Sequence, residues 1–322
     1  GYRSLLYSDA SAPHLYAKAD IKFGKRFHYS FSFDRFKDDN PFDRPQFSSI
    51  KYGAFHYLTL NIGKKSKISL FETVIWGSKD TMNQRGFDVR YLNPVVFYRP
   101  VEYSAGSADN SIIGANAEVY ITQSTSVYGQ IVFDEFLLSE LKAKTGWWAN
   151  KYGLQMGGKI STKLKNKYPL LLRGEFNMVR PFTFSHFRSL ESYTHKNQDI
   201  AHPLGANFME LVGVTTLHLD KYIVDARMIY YQQGIDSVGV NFGGNILKSY
   251  ASRSEDYNHS LLQGVSKKVG FIQLDVYRKA YKELPLFIKL GVGLRKQNNQ
   301  SISPNFSIGI TTLPWNKYND FY

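Results

Sequence analysis

The segment "KFGKRFHYSFSFDRF", residues 22 to 36, sets rings against polar groups one for one after a Gly24-Lys25 turn. Phe27, Tyr29, Phe31 and Phe33 alternate with His28, Ser30, Ser32 and Asp34, so a strand places all four rings on one face. This feature constrains the chain most, because an aromatic face needs a cover: a protein core, a partner or lipid. The period recurs. In "GFIQLDVYRKA", Ile272, Leu274 and Val276 oppose Gln273, Asp275 and Tyr277. In "SIIGANAEVYI", Ile113, Ala115, Ala117, Val119 and Ile121 oppose Ile112, Gly114, Asn116, Glu118 and Tyr120. The second face mixes glycine, charge and rings, which suits a wet or partly plugged lumen better than a dry core.

About thirteen strands are predicted, over 14–24, 26–36, 51–62, 68–77, 111–122, 127–136, 151–162, 169–180, 206–219, 222–232, 269–280, 286–297 and 304–313. Most run about ten to twelve residues, against about five to six in soluble sheets and about nine to eleven for a tilted strand crossing a bilayer. Tight links at Gly24-Lys25, 63–67, 123–126, 163–168, 220–221 and 281–285 alternate with long segments at 37–50, 78–110, 137–150, 181–205 and 233–268. In an up-and-down meander that alternation gathers the tight turns at one end and the long loops at the other, as in outer-membrane barrels.

The pattern therefore predicts an all-β, transmembrane, up-and-down antiparallel outer-membrane β-barrel, a single domain over 1–322 with short periplasmic turns. Loops 78–110, 137–150, 181–205 and 233–268 are expected to be extracellular or folded into the barrel mouth. Phe27, Tyr29, Phe31 and Phe33 are then membrane-facing. The alternative is a soluble β-sandwich or lipocalin-like barrel with an aromatic core, which has no reason to segregate its loops. Single-chain bacterial barrels have even strand numbers, so the odd count predicts further strands before residue 1.

Composition narrows the partners. No stretch reaches the roughly 18 apolar residues of a membrane helix, so any crossing must be by strands. The absence of Cys excludes disulfides and thiolate metal sites. The net charge of +13 is scattered through Lys64, Lys65 and Lys67, Lys163, Lys165 and Lys167, and Lys267 and Lys268. Scatter fits anionic lipid or acidic polysaccharide, and no nucleic-acid partner is expected.

Candidate residues fall in the long loops. Pro94 and Pro100 bracket an apolar run, and Arg99 and Glu102 follow as groups for a polysaccharide or partner surface, or as an ion pair inside a plug. Trp147 and Trp148 stand near Lys144 and Lys151. Such rings suit an upper aromatic belt at the membrane surface or, with cations, a sugar-stacking platform, and the belt is the expectation favoured. "VRPFTFSHFRSLESYTHKNQDIAHPLGANF" supplies Arg180 and His186, with His195, His202, Glu191 and Asp199. Their spacing fits no metal template. Asp38, Asp39 and Asp43 lack the spacing of a calcium loop, and Asn40-Pro41 reads first as a turn. No nucleophile elbow, phosphate loop or zincin motif occurs. No catalytic residue, metal or cofactor is expected, and the chain is read as a non-enzyme.

The segments "GYRSLLYSDASAPHLY", "ISLFETVIWG", "RGFDVRYLNPVVFYRPVEYSAGSADNSIIG", "YGQIVFDEF", "GWWANKYGLQMG", "VRPFTFSHF", "AHPLGANF" and "NFGGNILKSY" occur in this order. Together they resemble the RemB-like gliding-motility outer-membrane proteins, a branch of the Wzi-type capsule-assembly barrels. The resemblance runs from Gly1 to about Tyr250 and then weakens, and "PWNKYNDFY", with Phe321 and Tyr322, is similar to the family's C-terminal end. The family carries an export signal and further strands before the "GYRSLL" segment, so the resemblance implies sixteen to eighteen strands in the full protein. It also implies a bacterial outer-membrane location, with lipid and lipopolysaccharide around the wall. It further implies a role in gliding motility or cell-surface organisation. Surface polysaccharide, or a gliding or type IX secretion component, would bind the loops through Trp147, Trp148, Arg99 and Arg180. A channel or transporter is the alternative, and the apolar loops after the fourth and eighth strands argue against an open lumen.

Overall fold

A computed structural model describes residues 1–39, 49–78, 86, 88–92, 109–280 and 285–312. Strands β1 (Leu15–Phe23), β2 (Phe27–Asp38), β3 (Ser49–Ile62), β4 (Ser66–Gly77), β5 (Asn110–Tyr120), β6 (Thr125–Glu135), β7 (Lys151–Leu164) and β8 (Tyr168–Val179) follow one another along the wall. A two-stranded hairpin, β9 (Thr194–His195) and β10 (Gln198–Asp199), interrupts them. The wall resumes with β11 (Phe208–His218), β12 (Tyr222–Ile235), β13 (Val265–Lys279), β14 (Phe287–Gln297) and β15 (Ser303–Thr311). All thirteen wall strands pair with their sequence neighbours in one sheet, every pairing antiparallel. Gly24 and Gly63, and the pair Lys165-Asn166, take the positive φ that tight turns between twisted strands require. The last pair departs from the expected segregation: β14 and β15 join through the short stretch 298–302 at the end that otherwise carries the long loops.

The sheet is inside-out relative to a soluble core. Met156, Leu211, Met228, Ile272 and Ile308 point to one face and are open, while Gln155, Glu175, Glu210, Gln273 and Asp275 point to the other and are buried. The buried polar face is concave. The segment 1–14 crosses it: Arg3 bonds Glu210 on β11, the Leu5 N–H donates to Gln130 on β6, and the Tyr7 hydroxyl donates to Asp34 on β2. Arg3 and Tyr7 lie at most about 14 Å apart along the chain, whereas the seven strand steps from β2 to β11 would span about 34 Å in a flat sheet. The sheet must curl around the segment that bridges it.

Loop residues 181–207 fill the same concavity. Phe184, Tyr193, Ile200, Leu204 and Ala206 join Leu5, Leu6, Phe36, Phe55, Ile75, Val132 and Phe208 in one buried cluster. The Tyr193 hydroxyl donates to the Leu6 carbonyl (2.6 Å), tying the two inserts to each other. His202 donates from Nε2 to Glu210 (2.9 Å) while its Nδ1 accepts the Leu204 N–H, and burial holds its pKa down. His195 accepts the Lys37 N–H at Nδ1 and faces the Pro13 carbonyl with Nε2, so it staples the hairpin to β2.

Phe27, Tyr29, Phe31 and Phe33 all lie on the convex face, and they differ in cover. Phe27 is 44% exposed, whereas Tyr29 and Phe33 are 6% and 8% exposed. The Tyr29 hydroxyl bonds Nδ1 of His56, a histidine that also points outward, and the Phe31 ring lies 4.8 Å from it. Above them Phe33 packs with Ala54, Val74 and Trp76 under Tyr91, whose ring centre is 4.6 Å from that of Trp76. Tyr91 belongs to the 3-10 turn Val89–Leu92. This described part of segment 78–110 therefore lies over the convex wall rather than in the mouth, and chain rather than open surface covers Tyr29 and Phe33.

Two glycines in the wall have opposite surroundings. Gly157 faces the lumen, where an added Cβ would stand 2.5 Å from the Tyr128 ring. Gly174, beside Gly158 and Gly213 on the convex face, would place a Cβ in open space. Gly157→Val should lower stability by about 1–3 kcal/mol through overpacking. Gly174→Val should raise it by about 0.5–1 kcal/mol, since glycine is a poor strand former. Urea unfolding in detergent micelles, followed by Trp fluorescence, checks both signs.

Asp199, in the hairpin of the inserted loop, gives a pH test. Burial pushes its carboxyl up to about 8. Between the ordinary carboxylate value near 3.9 and that level the native state holds the extra proton, so stability falls as pH rises through this window. Asp199→Asn removes the slope: melting temperatures of variant and parent should differ least near pH 4, and the variant should be the more stable at pH 9.

Candidate functional site

The loop end of the wall carries a cluster of rings and cations built from three loops. Its floor starts at a β-bulge. The β6–β7 register shifts between Phe133 and Glu135, so the extra residue Asp134 and its neighbour Glu135 both oppose Lys151. Lys151, fully buried, sits 2.9 Å from Asp134 and 3.2 Å from Glu135 and donates to the Ser185 carbonyl. Asp134 also accepts the Phe184 N–H at 2.8 Å. The ion pair is thus the joint between wall and inserted loop.

Rings cover this joint. The Lys151 ammonium lies 4.7 Å from the Tyr250 ring centre and 5.9 Å from that of Trp148. Trp148 meets Tyr250 at 4.7 Å and Phe182 at 6.3 Å. Arg253 lays its guanidinium over Trp148 at 3.8 Å, and Asp256 fixes the fork through Nε at 2.7 Å. Such a stack lets Arg253 keep one edge toward solvent while its plane is immobilised. Burial holds the Tyr250 phenol above its ordinary pKa, with Glu135 adding to the effect.

Backbone bonds fix the loops to one another. Trp148 N donates to Asp256 O, Asn258 N to Thr145 O and His259 N to Gly146 O, each at 2.9 Å. Gly146 has φ +68° and lies so close to the opposite loop that a Cβ would meet His259 N at 2.7 Å, so only glycine fits there. Phe182 N donates to Gly243 O, and Ser249 Oγ donates to Phe187 O at 2.6 Å. Around an open cavity of about 660 Å³, Phe187 and Tyr257 stand 58% and 47% exposed, with Trp148, Tyr250 and Arg253 behind them. The Trp147 ring meets Tyr257 at 5.0 Å, tilted by 48°.

The sequence-predicted residues map onto this cluster unevenly. Trp147 and Trp148 pack against loop side chains there and not against the convex wall, so they do not form part of an outward belt. His186 is buried, 3.1 Å from Glu191, with its ring 5.9 Å from Tyr250. Arg180 supports the cluster from below, donating to the His259 carbonyl at 3.2 Å with its guanidinium over Tyr152. Arg99 and Glu102 lie outside the described residues. Tyr250, Arg253, Tyr257 and Phe187 were missed by sequence reasoning. The signal that could have found three of them is "SYASRSEDY", where two rings, an arginine and two acids share a loop.

Removing one partner of the buried ion pair should be costly. Lys151→Met leaves Asp134 charged and unpaired, which should lower stability by about 3–5 kcal/mol, and Lys151→Met with Asp134→Asn should recover part of that loss. Thermal unfolding of the single and double variants measures the difference.

No family model and no curated protein matches the sequence. Among solved structures the chain is similar to Wzi of Escherichia coli, an outer-membrane protein involved in group 1 capsule assembly and a carbohydrate-binding β-barrel. The TM-score is 0.65 at 12% identity, over 96% of this chain and 63% of that one. The chain thus spans 63% of the length of that neighbour. The ferric-catecholate import receptor Fiu of Escherichia coli K12, in its open form, overlaps at a TM-score of only 0.37 and 9% identity over 92% of this chain and 60% of that one. The likeness to Wzi shows the fold, that of an outer-membrane β-barrel.

Proposed function

We propose that the chain is an outer-membrane β-barrel that binds surface polysaccharide at its loop end and carries out no catalysis. The observation that carries this reading is the Phe187–Tyr257–Trp148–Arg253 cluster: the open Phe187 and Tyr257 rings, backed by buried Trp148, stack on the apolar faces of sugars, beside a guanidinium that Asp256 and Trp148 hold in place for acidic substituents. The carbohydrate-binding, capsule-assembly neighbour of the same fold supports the ligand class. The apolar convex face supports the outer-membrane location, with lipid and lipopolysaccharide as its surroundings. The buried indole N–H of Trp148 meets no acceptor among the described residues and leaves a spare donor beside the same cavity.

The role then is adhesion or scaffolding. The motif resemblance extends it to gliding motility and to a secretion or motility partner at the same loops. A channel fits less well, because residues 1–14 and 181–207 occupy the concavity.

Isothermal titration of the micelle-solubilised protein with polygalacturonate, and with dextran as a neutral counterpart, tests the reading. Tyr257→Ala and Phe187→Ala, both at exposed positions, should each weaken polygalacturonate binding about tenfold, a loss of about 1.4 kcal/mol. Arg253→Gln should reduce the preference for the acidic polymer over dextran. Unchanged affinity in all three variants would overturn the assignment.

A further inference from the structure

The concave face holds a second cavity, far from the loop-end cluster. It has a volume of about 820 Å³ and lies between the segment 1–14 and the turn-end half of β1–β7. That size falls within the roughly 300–1,000 Å³ of small-ligand sites.

Its wall is prepared in a particular way. Phe71 lies over Gly114, where a Cβ would stand 2.4 Å from the ring, and Tyr57 stacks on Phe71 with an interplanar angle of 3°. Tyr128 lies over Gly157 in the same manner. One glycine thus seats Tyr128 against the wall, and another seats Phe71, on which Tyr57 stacks. Between the rings stand amides. Asn116 donates from Nδ2 to the Tyr57 hydroxyl at 2.7 Å, which fixes the amide plane and leaves Oδ1 as an acceptor toward the cavity. Gln130 is fixed by the Leu5 N–H on Oε1, which leaves its NH₂ as a donor. The lysine and arginine groups are already engaged: Glu118 takes Lys159 at 3.0 Å and Lys67 at 3.4 Å, Arg3 is paired with Glu210 at 2.8 Å, and Lys18 with Asp20 at 3.2 Å.

We infer that this cavity is a binding site for a neutral oligosaccharide, distinct from the acidic-polymer site proposed at the loop end. The Tyr57 ring lining the cavity accepts the CH face of a pyranose, and oriented amides with one free donor or acceptor match vicinal hydroxyls. Each of these cations already has a carboxylate partner, so no unpaired charge selects a nucleotide or an anionic lipid. The polar stripe disfavours an acyl chain.

Saturation-transfer NMR on the chain in detergent micelles, with maltotriose, cellotriose and chitotriose as probes and a tetra-alanine peptide as the competing class, tests this. At least one trisaccharide should show transfer. Asn116→Leu and Gly157→Val, the latter displacing Tyr128, should each weaken its binding at least tenfold, while Tyr257→Ala leaves it unchanged. A gel-mobility shift on heating confirms that each variant is folded, and Gln130→Leu provides a third reading if Gly157→Val fails that control. Transfer to the peptide alone, to none of the probes, or to a trisaccharide equally in the parent and Asn116→Leu proteins overturns the inference. Because Tyr257→Ala reports only on the loop end, failure here is separable from failure of the polysaccharide reading.

Discussion

Two fully buried lysines decide what the inside of this wall looks like. Lys51 on β3 donates to the Ser192 carbonyl at 2.8 Å and the Thr194 hydroxyl at 2.9 Å, and Lys151 on β7 donates to the Ser185 carbonyl while paired with Asp134. Both ammonium groups meet the loop between β8 and β11, which folds inward instead of standing in solvent. A buried ammonium short of partners costs free energy, so each lysine, beyond its wall carboxylate, favours the conformation in which the loop is present. The loop in turn carries Tyr193, Ile200 and Leu204 into the apolar cluster that meets Leu5 and Leu6. Wall charge, loop position and N-terminal segment are one linked arrangement.

The inversion of the sheet makes this possible. With the apolar side chains outward, the concave face is free to carry carboxylates. Glu175 accepts the backbone N–H groups of Tyr2 (2.6 Å) and Arg3 (2.9 Å), and Glu210 accepts Arg3 and His202. Asn177 and Gln155 complete the network from neighbouring strands. In a soluble core such a density of carboxylates would need removal. Here it provides the specific contacts that hold 1–14 in place, and each carboxylate oxygen has a donor within reach.

The wall was legible in the sequence because period two and strand length are local properties. Asn116, Glu118, Gln273 and Asp275 fall on the concave face as their alternation with Ile113, Ala115, Ile272 and Leu274 predicts. What alternation cannot carry is which outward residues chain then covers. Phe33 reads like Phe27 in sequence, and only the packing of Tyr91 on Trp76 separates a covered ring from an open one. The loop-end cluster was half legible for the same reason. Trp147 and Trp148 announce themselves as a pair, whereas Tyr250 and Arg253 lie about a hundred residues later and are brought to Trp148 by the backbone bonds between Thr145–Trp148 and Asp256–His259. The bulge at Asp134, which aims two acids at Lys151, leaves no mark in the pattern at all.

The filled barrel also fixes what kind of binding the loop end can perform. A sugar-stacking surface on mobile loops would lose much of its interaction energy in ordering rings and backbone. Here the rings rest on a buried ion pair, Arg253 is held by Asp256 and Trp148 at once, and three loops are cross-bonded before any ligand arrives. Under the proposed reading, binding therefore costs little ordering, and the same cross-bonding opposes a passage beneath the loops. Holding a polymer at the rim and conducting one through the wall make opposite demands on the loop between β8 and β11. Under the proposed polysaccharide reading, Lys51 and Lys151 serve the first demand.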